Sequence, residues 1–441
     1  MKYILVSIYC FLLLFCSTTP TFAENSGDWK TVTDEATLLY KKGQYDRAEV
    51  LAKKALELVE NAVGPKHPNV ATSLTNLAEI YRVQGDYSQA EVLNRRALLI
   101  YEQALGLNHS VVAISLNNLA SIYYLQGKYT QAELLYKRAL TIKEKTSGPK
   151  DPSFAMTLDN LAMLYTTQGK YANAEPLYKR SLTIREKALG NQHTLVGSSL
   201  NNLAELYRNQ SRYSQAEPLY KRSLAIKEKA LNPDHPEVAT ILNNLAILYV
   251  SQNKFTQAEK LLKRSIAIDE MALGTGHPSL AKSLNNLAEI YRNQGKYTKA
   301  EPLYKRSLDI LENTLGTDHT DVAKYLNNLG LTYKAQGKYS QAESLLERSL
   351  EIDEKALGKE HPSVAIDLNN LAELSRVQGK YAQSEQYYNR ALMIYEKSLG
   401  SDHPDVGTIL GNMAKLYRAT HREIQAEKLE RLSEKIRSGK R

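Results

Sequence analysis

Cysteine is nearly absent from this chain: of 441 residues only Cys10 and Cys16 carry a thiol, and both lie within the first 16 positions. Everything downstream therefore lacks a disulfide framework and thiol chemistry, and must hold together by packing alone. Missing too are the short motifs that carry chemistry, namely a glycine-rich phosphate loop, a nucleophile elbow and a His-Glu-x-x-His helix. The paired carboxylates belong to exposed helix faces, so the reading is of a non-catalytic chain with no cofactor. Long apolar runs are also lacking. The one at residues 4–16 falls short of the roughly 20 residues that a membrane-spanning helix needs. With Lys2 before it and small residues at Thr21 and Ala23 after it, this run predicts a secretory signal peptide over residues 1–23, cleaved after Ala23, with retention as an uncleaved anchor the alternative. Lipid attachment is disfavoured by the bulky Phe15 before Cys16. The expectation is an exported protein, periplasmic or secreted, without cysteine and without an integral membrane span once mature.

What is present is a period. His67, His109, His193, His235, His277, His319, His361 and His403 recur at multiples of 42 residues, and Asp151 fills the one vacant register. Self-similarity at 20 to 50 residues marks a solenoid, in which each supersecondary unit buries its apolar face by stacking on its neighbours. No shift in composition interrupts the period from about Thr31 onward, and 24% charged with 43% hydrophobic residues excludes a disordered chain.

Within one period, Leu284, Leu287, Ala288 and Tyr291 fall at i, i+3, i+4 and i+7, one face of a helix. Pro278 suits the first turn of that helix and Gly295 the left-handed residue that ends it. A second helix is predicted from about Thr298 to Leu315, with Ala300, Tyr304, Ser307 and Leu308 on its inner side. Small Ala288 and Ala300 let the two helices approach closely. The unit is an antiparallel helix hairpin, and the fold class is all-α, an α-solenoid. Counted by register, a linker at 24–30 precedes hairpins starting near 31, 68, 110, 152, 194, 236, 278, 320, 362 and 404, which fill residues 31–437 before a basic tail at 438–441. Ser211 and Asn253 stand at the turn glycine, and the last hairpin has His421 there and Glu423 where Tyr or Phe otherwise stands. These departures predict local softness and a polar cap, and no new fold.

The first-helix signature and the Gly-x-Tyr-x-x-Ala lead into the second helix resemble the tetratricopeptide repeat. More narrowly, Leu-Asn-Asn-Leu-Ala, Gln-Gly-Lys-Tyr, Ala-Glu-Pro-Leu-Tyr-Lys-Arg-Ser-Leu and Glu-Lys-Ala-Leu-Gly-x-x-His-Pro resemble the 42-residue repeats of kinesin light chains and their bacterial relatives. The resemblance covers essentially all of the chain past residue 31. It implies a right-handed superhelix of hairpins whose concave face, lined by first helices, binds an extended peptide. The coiled coil that tethers kinesin light chains to their motor has no counterpart here, so a motor-subunit role is not implied.

Helical geometry nominates residues for that face. The second asparagine of each pair, Asn76, Asn118, Asn160, Asn202, Asn244, Asn286, Asn328, Asn370 and Asn412, reads as structural, satisfying loop backbone between hairpins. The first, at Asn117, Asn201, Asn243, Asn285, Asn327 and Asn369, shares a stripe with the residues four and seven further on. Four repeats there carry Glu and Arg: Glu79 and Arg82, Glu205 and Arg208, Glu289 and Arg292, Glu373 and Arg376. An amide ladder could bond a peptide backbone while the Glu/Arg and apolar steps select side chains. The plain alternative is that these are solvated intrahelical pairs, worth roughly 0.2 to 0.5 kcal/mol each.

The histidines do not predict a metal site, because equivalent residues of stacked repeats stand about 10 Å apart while zinc ligands all lie about 2 Å from the ion. A helix-start role suits them. Net charge is +9 and Lys-Arg pairs recur, as at Lys137-Arg138 and Lys305-Arg306, yet Glu133 and Glu301 recur beside them. Interspersed signs point to a solvated outer face with cross-repeat pairing rather than a nucleic-acid footprint. The expected partner is a protein or peptide; binding of anionic polymer or lipid through the basic outer face is the runner-up. Oligomeric state stays open.

Overall fold

The structure is a computed structural model and describes residues 28–148 and 150–438. The expected signal peptide with Cys10 and Cys16, residues 24–27 of the linker and all but Ser438 of the basic tail lie outside the described residues. Among the described residues there are helices and no strands, and the helices come in antiparallel hairpins. The chain divides into two units at Leu248 and Tyr249. The first contains α1 (Asp28–Lys41), α2 (Tyr45–Val63), α3 (Pro68–Val83), α4 (Tyr87–Leu105), α5 (Ser110–Leu125), α6 (Tyr129–Thr146), α7 (Pro152–Thr167), α8 (Tyr171–Leu189), α9 (Thr194–Asn209), α10 (Tyr213–Leu231) and most of α11 (Pro236–Ser251). The second contains α12 (Phe255–Leu273), α13 (Pro278–Asn293), α14 (Tyr297–Leu315), α15 (Thr320–Ala335), α16 (Tyr339–Leu357), α17 (Pro362–Val377), α18 (Tyr381–Leu399), α19 (Pro404–Ala419) and α20 (Glu423–Ser438). Odd-numbered helices are the first of each hairpin.

Each hairpin is assembled by the same local chemistry. The recurrent histidine is the N-cap of the first helix. His67 Nδ1 accepts from the Asn69 N–H at 3.1 Å and His277 Nδ1 from the Ser279 N–H at 3.2 Å, and the other six do likewise. Asp151 makes the same bond from Oδ1 at 2.7 Å. Such caps satisfy a donor that the first helical turn would otherwise leave orphaned, and an imidazole can do it only through an unprotonated Nδ1. At the hairpin turn Gly295 takes φ 71°, which lets Lys296 N–H reach Tyr291 O at 2.8 Å. Ser211, Asn253 and His421 adopt the same left-handed φ, 61°, 58° and 58°. The turn survives without glycine, at about 1 kcal/mol of backbone strain each.

Packing is distributed along each unit. Ala288, Ala300 and Tyr304 are fully buried, so the tyrosine fills the space that the two alanines leave between α13 and α14. In the first unit one apolar cluster runs from Val59 through Val70, Leu74, Ile100 and Val112 to Ile142, crossing three hairpins, with Trp29 against its end. That contact accompanies a start of α1 at Asp28, three residues ahead of the expected Thr31. A similar cluster in the second unit joins Val364, Tyr388, Tyr395, Val406 and Leu416, with Leu429 and Ile436 of α20 covering its end.

Polar groups are buried between hairpins as well. At several junctions a side chain of the second helix meets one of the next first helix fourteen residues on. Arg185 donates to Ser199 Oγ at 2.6 Å and to Asp159 Oδ2 at 2.7 Å, and Ser283 donates to Asp269 Oδ2 at 2.9 Å. The pairing varies from junction to junction, so it tunes each stacking contact separately.

Candidate functional site

Within each unit neighbouring first helices touch one another, α5 with α7 and α7 with α9, then α13 with α15, α15 with α17 and α17 with α19. Their side is therefore the inner face of each stack. The residues that reach its surface follow two rows. One holds Thr72, Ile114, Met156, Ser198 and Thr240 in the first unit and Lys282, Lys324, Ile366 and Thr408 in the second, all half-buried except the exposed Lys324. The other register holds Glu79, Ser121, Met163, Glu205 and Ile247, then Glu289, Leu331, Glu373 and Lys415; Glu205, Ile247, Glu289, Glu373 and Lys415 reach the surface, whereas Glu79, Ser121, Met163 and Leu331 are buried. The row from Thr72 to Thr408 was not singled out from sequence, although the same 42-residue count applied one turn upstream of the second asparagine would have found it.

The asparagines behave differently from the expectation. Asn117, Asn201, Asn243, Asn285, Asn327 and Asn369 are only 2–5% exposed. Their amides are engaged between repeats. Asn244 Nδ2 donates to Asn201 Oδ1 at 2.9 Å, Asn328 to Asn285 at 2.9 Å, Asn370 to Asn327 at 2.8 Å and Asn412 to Asn369 at 3.0 Å. Asn117 Nδ2 meets Thr157 Oγ1 of the next first helix at 2.7 Å, whereas Asn243 Nδ2 donates to Ala239 O of its own helix α11 at 3.1 Å. This corrects the peptide-backbone role given to the first asparagine, because its side chain is buried and, at Asn117, Asn201, Asn285, Asn327 and Asn369, bonded to the next first helix. It also corrects the partner of the second: Asn244, Asn328, Asn370 and Asn412 bond the preceding repeat's asparagine, with Asn118, Asn160 and Asn286 buried in the same register and Asn76 and Asn202 half-buried.

The Glu and Arg positions divide. Glu205, Glu289, Glu373, Arg292 and Arg376 are half-buried at the inner face, whereas Arg208 is 6% exposed and packs beside Tyr220. Arg376 pairs with Glu373 at 2.9 Å and Tyr388 donates to the same carboxylate at 3.1 Å. Burial pushes Glu373 up, but bonds from Arg376 and Tyr388 and the nearby Lys334 charge leave it below the usual carboxylate range. Lys334 is half-buried and its ammonium has no hydrogen bond or ion pair among the described residues. Burial, with Arg376, Arg292 and Lys415 close by, holds its ammonium below the ordinary lysine range, against the pull of Glu373. Four consecutive repeats of the second unit thus converge cations on one stretch of inner face. In the first unit, a cavity of about 10 Å³ opens beside Ser198, Asn202 and Ile241, with Lys227 and Glu237 at its edge; this is room for one water.

The tetratricopeptide repeat profile matches residues 32–103, 75–145, 153–229, 195–271, 279–355, 336–392 and 363–438, with a second profile of the same description at 243–313. The chain belongs to the tetratricopeptide repeat family. Among solved structures, BtubC (BKLC) from P. vanneervenii is 25% identical over 53% of this chain and 91% of that one, with a TM-score of 0.41. A putative kinesin light chain of Podosopora anserina with nearly identical TPR-like repeats is 28% identical over 46% and 97%, TM-score 0.39. A Rap protein complexed with competence and sporulation factor is 15% identical over 94% and 99%, TM-score 0.52, a likeness of fold alone. Comparison with curated proteins gave no match.

The outer, second-helix face of this tetratricopeptide array is laced by ion pairs. Glu175 accepts from Lys179 and Arg212 at 2.7 Å each and from Tyr207 at 3.0 Å; in the second unit Glu301 gathers Lys305, Tyr333 and Lys338. Arg138 reaches Glu102 at 2.6 Å, Arg222 reaches Glu186 at 2.8 Å and Arg306 reaches Glu270 at 2.8 Å, each across one repeat. Lysine hydrogen bonds first, from Lys179 and Lys305, hold Glu175 and Glu301 down at about 2. The basic ladder is therefore largely matched by its own glutamates. No described helix is long and apolar enough to cross a membrane.

Proposed function

We propose that this exported tetratricopeptide array binds an extended segment of a partner protein along the inner face of its first helices. Tetratricopeptide arrays are in general non-catalytic protein-interaction scaffolds, and the present reading narrows that role to one surface. The observation that carries it is where the repeats agree and where they differ. The buried positions that pack each hairpin, such as the registers of Ala288 and Ala300, repeat almost unchanged, and so do the outer ion pairs, as structural positions should. On the inner face one register instead presents Glu205 and Ile247 in the first unit and Glu289, Glu373 and Lys415 in the second, with Ser121, Met163 and Leu331 buried in the same register. The accessible steps of this register, Glu205, Ile247, Glu289, Glu373 and Lys415, change in charge and polarity on a constant hairpin frame, so the face can read a sequence of side chains, one repeat at a time.

The runner-up, anionic polymer or lipid on the outer face, is disfavoured by the matching of outer cations with glutamates. Nucleic acid is disfavoured for the same reason. The deciding experiment is display selection of peptides on the full chain and on a Glu289→Lys, Lys334→Glu, Glu373→Lys variant, all three changes lying at the accessible face. A shift in the selected peptides, at unchanged helicity, supports the inner face. The same peptides from both proteins, or binding that vanishes with salt alone, would move the site to the outer ladder.

A further inference from the structure

One inter-hairpin junction of the second unit pairs two groups of like charge. Where other junctions bury Asp269 against Ser283 or gather Tyr395 and Ile409 in one apolar cluster, α16 and α17 bury Asp353 against Asp367, 3% and 0% exposed. Asp367 Oδ1 accepts from Ser349 Oγ at 2.8 Å and from Asn327 Nδ2. The two carboxyls lie within hydrogen-bond reach of each other, yet Asp353 Oδ1 and Asp367 Oδ2 are buried with no donor among the described residues. A proton held between them is the donor that both oxygens lack, and two carboxylates in contact away from water cannot both stay ionised.

The charged groups facing the pair come from α15. Lys324 attracts Asp353 and Asp321 repels it, while Lys324 donates to Asp321 Oδ1 at 2.7 Å, and Lys282 of α13 acts on Asp321. Among the described residues no amine bonds either carboxyl directly. Burial first, and then the partner carboxyl, raises Asp367 above the ordinary carboxylate range, and Asp353 moves the same way.

We propose that Asp353 and Asp367 form a proton-sharing latch that clamps the α15–α16 hairpin to the α17–α18 hairpin in acid and loosens that junction as pH rises. Linkage has a definite sign. Groups that bind protons more tightly when folded contribute stability that is complete below the ordinary carboxylate range and is lost as pH climbs through the raised folded values. The loosening would reach the inner face, since Asn327 bonds both Asp367 and Asn370.

Hydrogen exchange read by mass spectrometry on the full chain tests this at about pH 5, 6.5 and 8, with an Asp367→Asn variant measured at the same pH values so that intrinsic exchange rates cancel. Asparagine keeps the shape and supplies a permanent donor. Wild-type α16 and α17 amides should lose protection relative to the variant as pH rises, approaching tenfold per pH unit for one linked proton, while α3 to α6 amides show no change in ratio. If Asp367→Asn does not fold, Asp353→Asn serves in its place. A ratio that stays flat with pH overturns the latch. So does recovery of wild-type protection at the highest pH on adding millimolar calcium or magnesium, which would make the pair a cation site.

Discussion

Arg185 is the residue whose loss should hurt the first unit most for its size. It lies 5% exposed between hairpins, with Nη1 2.7 Å from Asp159 Oδ2, 2.6 Å from Ser199 Oγ and 3.4 Å from Leu195 O. Arg185→Leu leaves the Asp159 carboxylate buried without its counter-charge, and truncating one partner of such a pair removes about 3 to 5 kcal/mol. The two lost bonds to α9 add about 1 kcal/mol apiece at most, and part of that is returned by the leucine's apolar contact. Asp159→Asn in the same chain should recover most of the loss, because a neutral amide carries no stranded charge. Burial already holds Asp159 above the usual carboxylate range despite Arg185. Removing the arginine raises it further, so the single variant should regain stability as pH falls towards about 4, where the gain is complete, and lose it as pH rises. Repeat arrays need not unfold in one step, so urea unfolding followed by circular dichroism belongs beside hydrogen exchange of α7 to α9. A loss under about 1 kcal/mol at neutral pH, or a double variant no better than the single one, would refute the account of this junction.

Other outcomes follow from single contacts. His277→Ala removes the cap on Ser279 N–H and should lower stability by about 1 kcal/mol; since burial holds His277 below its ordinary value, wild-type stability at this site should fall as pH drops below about 6.5 and then level off once the folded imidazole protonates, a drop absent in the variant. Asn370→Leu deprives Asn327 Oδ1 of its buried donor and should reduce urea stability by about 1 to 3 kcal/mol, whereas a purely peptide-binding asparagine would leave folding untouched. Glu301→Gln, at the exposed outer hub, should change the melting profile by under about 1 kcal/mol at neutral pH and less in high salt; its depressed carboxyl makes the wild-type advantage disappear as pH falls through about 2. Lys334→Ala relieves crowding among Arg292, Arg376 and Lys415, so stability should hold or rise while peptides selected for acidic side chains bind more weakly, as titration by fluorescence anisotropy would show.

Sequence alone could reach the hairpins because a fixed 42-residue period places like residues in like surroundings: Ala288 against Ala300, Tyr304 in the gap, His277 before Pro278. What it could not settle was which side of a first helix stays uncovered. Asn285 and Asn286 differ by only one residue, about 100° around the helix, and a helical wheel drawn on one hairpin leaves both near the inner side. Stacking decides the matter. The following first helix closes over Asn285 and supplies Asn328 as its donor, so the amide row becomes a seam between repeats and the accessible row shifts to Lys282 and Glu289. Buried charges were illegible for a related reason. Arg185 with Ser199, Asp269 with Ser283 and Asp353 with Asp367 obey a constant offset of fourteen residues, but their identities change at every junction, and periodicity highlights only what stays the same. The offset was there to be read once second helix and next first helix were known to touch. A solenoid thus writes two messages at one period: invariant positions specify the hairpin, and the variable ones specify either a junction or a ligand. Burial separates the two, which is why Asp353 and Asp367 belong to the frame and Lys334 to the face.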